Sequence, residues 1–436
     1  MSPAPSFAEA TRTWLKIGLL GFGGPAGQIA LMHRLLVDEK RWLGEQQFLH
    51  ALNFCMLLPG PEAQQLATYA GWILHGWRGG LVAGTLFVLP GFVVIVALSA
   101  LYAGFSDTAW LQSLFFGLKA AVLAVVVEAL LKVARRALKT RFMYAVAAVA
   151  FVAIWALHVP FPLIVLAAAL LGTLLARTAP GLIGIKAPAE PLRETPTPSP
   201  LRSLAVLAGG LALWLGPVVL LVAVLGRHDL FSELAVYFSK MAVVTFGGAY
   251  AVLAWVAQAA VGEFGWLQPG QMVDGLALAE TTPGPLIMVL TFVGFLAAFQ
   301  HPGGLDPMLA GLLGATLVTW VTFAPCFLWI FLGAPYVERL RGRPLLAGAL
   351  ATITAAVVGV ILNLAVWFAL HVLFRELVEA DVGPFRLLLP RLGTLDPAAL
   401  VLAALACWTL FGTRLGMLGT LALCGVLGAG WRLLAG

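Results

Sequence analysis

Long apolar runs dominate this chain and predict helices that cross a membrane. An α-helix needs about 20 mostly apolar residues to span a bilayer, and many runs of that kind are bounded by charge, glycine or proline. Two further segments, 45–76 and 268–299, are each interrupted by Pro-Gly-Pro. The uninterrupted runs that we interpret as spanning helices are 12–36, 79–103, 109–134, 142–158, 161–177, 203–226, 232–257, 308–334, 345–373, 398–413 and 415–434.

The two halves of the chain are copies of one unit. Residues 22–61 align without a gap with residues 246–285, 224 positions later, and 13 of these 40 pairs are identical. Farther on the offset becomes 235, which pairs Pro90 with Pro325. Such self-similarity is the mark of a duplicated structural unit. We therefore predict a first repeat, a cytoplasmic linker, an extra transmembrane helix and a second repeat, over 1–177, 178–202, 203–226 and 227–436 respectively.

Loop charge predicts that the repeats face opposite sides of the membrane. Loop 132–141 is strongly basic and is expected in the cytoplasm, whereas loop 104–108 has no Lys or Arg and is expected outside. In the second half the bias reverses, because the loop equivalent to 104–108 contains Arg339, Arg341 and Arg343. Counting 45–76 as one broken crossing gives about thirteen crossings and an inverted repeat.

Lys40 and Arg41 do not fit this scheme, since they would face outward. If 45–76 is instead a re-entrant hairpin, these two residues stay inside, but on that count the repeats become parallel. The sequence leaves both possibilities open, and inversion is the one we favour.

Composition removes most other classes of protein. Hydrophobic residues make up 61% of the chain and charged residues 11%, which a soluble, disordered or nucleic-acid-binding protein of this size could not accommodate. The net charge of +6 is explained by basic loops that set orientation. The prediction is an all-α polytopic membrane protein. No CxxC pair, metal-ligand spacing or Walker motif occurs, so we expect neither cofactor nor metal, nor ATP-driven transport from within this chain.

The paired Pro-Gly-Pro breaks are the predicted substrate site. Proline ends one helix and favours the first position of the next, so each motif starts a half-helix whose free N–H groups and positive dipole suit an anion. Breaks at matching positions of two repeats are the best sequence indication of a transporter site. Two hydroxyls precede the second break. The candidate residues are Gly60, Pro61, Thr281, Thr282, Gly284 and Pro285.

A second pair of breaks lies in the first helix of each repeat. Gly23-Gly24 and Gly247-Gly248 allow unwinding or close backbone approach. Gln28 follows the first of these breaks by one turn, and we expect its amide to donate to an oxyanion.

Ionisable residues inside apolar runs are functional candidates by default. Lys119 is predicted to offset the charge of the anion. Glu62 and Glu280 flank the two breaks and are predicted to carry a coupled proton. Asp274 and Glu128 are further proton candidates, Glu128 the weaker because Lys132 follows four residues later.

The duplicated motifs resemble those of the chromate transporter family of bacterial inner membranes, in its long two-domain form. The matching residues in each half are a Phe-Gly-Gly break, a Glu-x-x-Trp-Leu stretch and Pro-Gly-Pro, at 22–24, 39–43 and 59–61 and again at 246–248, 263–267 and 283–285. The resemblance implies efflux of chromate, chromate resistance, sulfate as a competing analogue and thirteen helices. Ala249 stands where the first half has Pro25, so the second Phe-Gly-Gly break is less constrained.

The function expected from these observations is export of chromate from the cytoplasm across the inner membrane. The membrane potential favours exit of a dianion by about 4.6 kcal/mol at 100 mV, and proton coupling is an additional option. An importer of sulfate or another anion, and an anion channel, are the alternatives; an enzyme is not expected. The expected partners are the oxyanion and the lipid bilayer, without nucleic acid, and a homodimer is left open.

Overall fold

The computed structural model describes residues 5–22, 24–106, 108–184, 199–246, 249–336, 344–383 and 385–435. Within these residues nearly all regular structure is helical. The helices, here numbered α1 to α16, are Phe7–Leu20, Gly24–His33, Glu45–Cys55, Glu62–Phe105, Ala109–Ala137, Arg141–Trp155, Phe161–Thr178, Pro200–Leu225, Leu230–Val244, Ala249–Gln258, Pro269–Thr281, Val289–Gln300, Pro307–Gly333, Pro344–Leu373, Pro397–Gly412 and Gly416–Ala435.

Short irregular turns extend several of these helices. π-helical turns continue α2 through Arg34–Glu39 and α10 through Ala259–Glu263, and a 3₁₀ turn at Leu286–Met288 leads into α12. Other 3₁₀ turns are Pro180–Ile183, Ala334–Tyr336 and Leu392–Thr394. The predicted linker 178–202 lies largely outside the described residues.

The described chain is consistent with the predicted all-α membrane protein and adds one small element that was not predicted from the sequence. Leu377–Val382 and Phe385–Pro390 form an antiparallel hairpin, β1 and β2, in register from Leu377 opposite Pro390 to Val382 opposite Phe385. The hairpin occupies the loop between two predicted spanning runs. Apolar and polar residues alternate in Val378–Val382 before Gly383, a short strand-and-turn signal that is easily missed between long apolar runs.

Six helices of the described residues are long and apolar enough to cross a membrane: α5, α7, α8, α14, Glu62–Phe105 and the stretch Pro307–Tyr336 that contains α13. Other predicted runs form shorter apolar helices, such as Arg141–Trp155 and Pro397–Gly412. The protein is therefore a helical, multi-pass membrane protein, while the count of thirteen crossings stays a prediction.

The described chain divides into two compact units. The first unit comprises Met1–Ala103, Glu190–Ala249 and Leu278–Gly342, and the second comprises Gly104–Ala189, Tyr250–Ala277 and Arg343–Gly436. The second unit is packed through small residues: Thr352 of α14 donates its hydroxyl to Ala168 O of α7 at 2.7 Å, next to the close approach of Gly172 and Gly348. Small residues let membrane helices approach closely.

In the first unit, the first broken segment folds back on itself. Ser6 caps α1 by accepting from the Glu9 N–H, and the Lys40 Nζ lies 2.8 Å from the Glu9 carboxylate. Glu9 is in the first turn of α1, and Lys40 follows the π-turn that ends the segment. The start and the end of 7–39 therefore meet, so its two halves run antiparallel.

The second broken segment also folds back, which settles its geometry. The rings of Phe54, before the break, and Tyr69, after it, are 5.5 Å apart. Two collinear half-helices would place these residues roughly 20 Å apart at 1.5 Å per residue. The chain reverses again where His75 and Gly76 interrupt Glu62–Phe105, and His75 binds Pro5 O at 2.9 Å. Both hairpins thus begin and end at the same end of the unit.

Candidate functional site

Both Pro-Gly-Pro motifs adopt a backbone that requires glycine at their centre. Gly60 has φ +117° and Gly284 has φ +96°, a region that side-chain-bearing residues rarely occupy. Helix α3 ends at Cys55 before the first motif and Glu62 begins the next helix; α11 ends at Thr281 before the second. Each motif therefore joins the end of one half-helix to the start of another, as the sequence predicts.

The two motifs exchange equivalent hydrogen bonds with the opposite repeat. Gly60 donates its N–H to Thr245 O at 2.8 Å, and Gly284 donates its N–H to Gly21 O at 3.0 Å. The two donors are 224 residues apart in sequence, and so are the two acceptors. A reciprocal contact of this kind is the pattern that a two-fold axis produces. The duplication thus extends to the hydrogen bonding of this region.

A second pair of packing contacts follows the same symmetry. A Cβ on Gly60 would lie 2.8 Å from the Cys326 sulfur, and a Cβ on Gly91 would lie 3.2 Å from Gly284 Cα. Gly91 and Cys326 are repeat equivalents at the offset of 235, each directly after a mid-helix proline. Sequence reasoning missed both residues, although the pairing of Pro90 with Pro325 indicated where to look.

A pocket lies between the starts of the two half-helices. The pocket is narrow: its cavity volume is about 10 Å³, roughly the space of one water molecule, and it is partly open to solvent. Four equivalent pairs and one further residue line it: Pro25 with Ala249, Pro61 with Pro285, Glu62 with Leu286, Ala63 with Ile287, and Gln28. The two breaks are therefore close together and share a cavity, which is what the predicted site requires.

The pocket combines helix starts with one carboxylate. The first bond of the helix after the first break is Gln65 N–H to Pro61 O at 3.1 Å, so the N–H groups before it have no carbonyl of their own helix to bind. Glu62 is the charged residue of the lining, and Leu286 takes its place in the second repeat. The arrangement turns two helix starts and one carboxylate towards a narrow cavity, so an oxyanion would fit only after the cavity widens and the charge of Glu62 is offset.

Gln28 lines the pocket in a role different from the predicted one. Its Nε2 donates to Gly21 O at 3.1 Å and also to Gly284 O, so both amide hydrogens are used by carbonyls. The expectation that Gln28 donates to an oxyanion is not supported in this conformation. Its Oε1 is buried and has no hydrogen-bond partner in the described part of the chain. Gln28 is therefore an available acceptor.

The hydroxyls before the second break are also occupied. Thr281 donates to Leu278 O at 2.8 Å and Thr282 donates to Ala279 O at 3.0 Å, so both protons satisfy carbonyls at the end of α11. Glu280, predicted to carry a proton, is buried beside them. Of the Gly-Gly breaks, Gly24 begins α2 with φ +67°, whereas Gly23, Gly247 and Gly248 lie outside the described residues.

Comparison with known proteins places the chain among transporters. The family model described as "Chromate transporter" matches residues 8–173 and 232–429. The chain belongs to the chromate transporter family. As a member of that family it is a transporter and not an enzyme, and its membrane substrate is an oxyanion.

Curated relatives of this chromate transporter family member match over most of their length. A "Chromate transport protein" of Pseudomonas aeruginosa is 35% identical over 82% of this chain and 80% of the relative. A protein of the same name from Cupriavidus metallidurans is 30% identical over 83% and 82%. A "Probable chromate transport protein" of Synechococcus elongatus is 29% identical over 82% and 84%. No solved structure matches the chain.

The remaining predicted residues form ion pairs in the second unit of this transporter. Lys119 Nζ lies 3.1 Å from Asp274 Oδ1, and the Asp274 side chain is only 7% exposed. Glu128 Oε1 lies 2.6 Å from Lys132 Nζ, one turn along the same helix. The charge of Lys119 is thus balanced by Asp274, a pairing that sequence spacing does not reveal because the two residues are 155 positions apart.

Proposed function

We propose that this protein exports chromate, or a closely related tetrahedral oxyanion, through the pocket between the two Pro-Gly-Pro breaks. The observation that carries the proposal is the pocket itself, where two equivalent half-helix starts face one cavity. Helix starts stabilise anions through unpaired N–H groups and the helix dipole. Broken helices at a repeat interface are where transporters of this architecture bind their substrates. The curated relatives named as chromate transport proteins support chromate as the ion.

Because the two broken segments of the first repeat fold back on themselves, we favour an inverted repeat in which fewer than thirteen helices cross the membrane. If 7–39 and 45–74 are re-entrant, the helices that cross between the two repeat starts are 77–105, α5, α6, α7 and α8. Five is an odd number, so the second repeat starts on the opposite side of the membrane. With equivalent hairpins in the second repeat, the described helices give nine crossings: those five, α13, α14, α15 and α16.

This topology removes the conflict at Lys40 and Arg41. Both lie at the open end of the first hairpin, where its start and end meet, on the same side as the N-terminus and Arg78. The same path keeps basic loop 132–141 and Arg339, Arg341 and Arg343 in the cytoplasm, and it leaves loops 104–108 and 300–307 outside. Every one of these placements satisfies the positive-inside rule. We therefore place two hairpins on each side, with their tips meeting near the middle of the membrane.

Energetics favour export over import. An anion that leaves an inside-negative cell gains about 2.3 kcal/mol per elementary charge per 100 mV. The pocket adds a condition, because Glu62 repels an anion and no basic side chain of the described residues lines the cavity. A proton carried with the ion, either on Glu62 or on the ion itself, lowers this repulsion. Lys119 is left out of the proposed site because Asp274 balances its charge.

Transport by inverted membrane vesicles tests the proposal. Vesicles that contain the chain should take up labelled chromate, with saturation, and faster when the interior is made positive. Gly284→Ala should abolish this uptake, and Gly209→Ala, at a position where an added Cβ meets nothing within 4 Å, should not. Chromate gain by intact expressing cells would instead indicate an importer, and flux without saturation would indicate a channel.

A further inference from the structure

The orientation of the Gln28 amide is fixed by its surroundings. Its nitrogen faces two carbonyl oxygens, those of Gly21 and Gly284. Carbonyl oxygens accept and cannot donate, so a flipped amide would place Oε1 against two other acceptors. Oε1 is therefore the atom left over, and it is fully buried without a partner among the described residues.

A buried acceptor without a donor is costly. Its burial costs the free energy of removing the group from water, unless water or a ligand donates a hydrogen bond to it. A fully ionised oxyanion such as chromate or sulfate has only acceptor oxygens and would leave Oε1 unpaired. A singly protonated oxyanion carries one O–H and satisfies it.

The charges around the pocket point to the same form of the ion. Two helix starts supply about half an elementary charge each, and Glu62 opposes them with a full negative charge when it is ionised. The lining in the described part of the chain contains no Lys, Arg or His. A monoanion is accommodated at much lower electrostatic cost than a dianion in a site of low dielectric.

We propose that the pocket binds the oxyanion as its singly protonated monoanion, with the O–H of the ligand donating to Gln28 Oε1. This inference rests on the proposed function and adds the chemical form of the substrate and a residue that selects it. The ionised oxygens of the ligand face the helix starts at Ala63 and Ile287, which line the pocket on either side.

The protonated form explains how the site prefers chromate to sulfate, which competes only as a weaker ligand. Hydrogen chromate gives up its proton near neutral pH, so a substantial fraction of cytoplasmic chromate carries it. Hydrogen sulfate keeps its proton only in strong acid, so sulfate arrives as the dianion. A site built to pair with a ligand hydroxyl rejects the analogue that lacks it, and sulfate is far more abundant in cells than chromate.

The proton has competing locations on the titratable side chains near the breaks, and the nearest to the pocket is Glu62. Glu62 lies in the lining, Glu280 is buried next to the second break, and the thiol of Cys326 lies against Gly60. These are the titratable groups that the described residues place at the two breaks, together with Cys55, which interacts electrostatically with Glu62. Dianion plus protonated Glu62 has the same net charge as a protonated monoanion, so the test must separate the two.

The charge moved per chromate, measured in proteoliposomes from the gradient that balances an imposed potential, makes this separation. We expect one charge per chromate in the wild type and still one in Glu62→Gln. Two charges in the wild type, or a change from one to two in Glu62→Gln, would overturn the inference and leave the proposed function intact. No chromate flux at any potential or pH would refute both.

Substitution of Gln28 provides an independent arm. Gln28→Met removes the acceptor at nearly constant volume and should lower the preference for chromate over sulfate at least tenfold, as judged by sulfate competition. Gln64→Met is the matched control, since Gln64 is equally buried, also has an unpaired Oε1 within the described chain, and does not line the pocket. An unchanged preference in Gln28→Met, or an equal loss in both variants, would count against the proposal. If Glu62→Gln does not transport chromate, the comparison of Gln28→Met with Gln64→Met is the test of the proposal.

Discussion

The sulfur of Cys326 lies 2.8 Å from where a Cβ on Gly60 would be placed. Gly60 belongs to the first repeat and Cys326 to the second, so the centre of one Pro-Gly-Pro break is packed directly against the other half of the sequence. The equivalent contact of Gly284 with Gly91 completes the symmetry. The breaks are thus rigid parts of a shared structure rather than loose kinks.

Gly60→Ala and Gly284→Ala should each impair transport strongly. Both glycines have a positive φ, which costs a side-chain-bearing residue on the order of 1–3 kcal/mol, and both are in close contact across the repeats. The measurement is initial chromate uptake at equal amounts of inserted protein. Gly209→Ala, within α8 and without a positive φ, is the control and should keep near wild-type uptake. Normal uptake by Gly284→Ala would mean that the geometry of the break is not needed.

The Lys119–Asp274 pair should behave as one neutral unit. Lys119→Met leaves a buried carboxylate without its partner and should lower stability by about 1–3 kcal/mol, since Lys119 is itself 27% exposed. The double variant Lys119→Met/Asp274→Asn should regain stability and transport, as measured by thermal unfolding in detergent and by uptake. A double variant that is stable but inactive would instead identify Lys119 as a ligand of the anion.

Lys40 should be accessible from the cytoplasm. A single cysteine at position 40, in a background with the four native cysteines replaced, should react with a membrane-impermeant reagent in inverted vesicles and not in intact cells. Cysteines at Gly104 and Lys139 serve as references for the outer and the cytoplasmic side. Labelling of position 40 in intact cells would place Lys40 outside the cell. That result would support 45–76 as a single broken crossing and contradict the re-entrant hairpins.

The β-hairpin end of the protein should loosen in acid. Burial acts to raise the pKa of Asp396, but the N–H of Ala399 and the guanidinium of Arg375 bind the carboxylate and hold its pKa below the ordinary value. A lowered pKa in the folded state means that the stabilisation is present above the unfolded pKa and is lost as pH falls through the folded pKa.

Hydrogen exchange at Ala398 and Ala399 is the readout of this effect, because both amides bind Asp396 Oδ1. Their protection should fall as pH drops through the lowered pKa. Asp396→Asn keeps a capping acceptor and should remove this pH dependence, whereas Asp396→Ala should cost about 1 kcal/mol near neutral pH and less in acid, where the wild type has lost the carboxylate. An unchanged acid response in Asp396→Asn would assign it to another group.

The sequence predicted the architecture of the site better than its chemistry. The duplicated Pro-Gly-Pro motifs located both breaks because proline and glycine act locally on the backbone. Which donors and acceptors already have partners depends on contacts between residues far apart in the sequence, such as Gly60 with Thr245. For this reason Gln28 and Thr282 were assigned donor roles that their neighbours already use.

Topology shows a different limit of sequence reasoning. Hydropathy identifies an apolar segment but not whether its two halves continue or fold back. The contacts of Lys40 with Glu9 and of Phe54 with Tyr69 carry that information, and both require the folded chain. The hairpin Leu377–Val382 with Phe385–Pro390 was missed because a two-stranded signal is short and weak beside neighbouring apolar runs.

The central claim is that the oxyanion occupies the pocket between the two breaks, and a structure with a heavy tetrahedral oxyanion tests it most directly. Chromate, supplied at a pH where a substantial fraction is hydrogen chromate and located in crystals by the anomalous scattering of chromium, should give a strong peak between Pro61–Ala63 and Pro285–Ile287, within hydrogen-bonding distance of Gln28. A peak beside Lys119, with the pocket empty under the same conditions, would contradict the account.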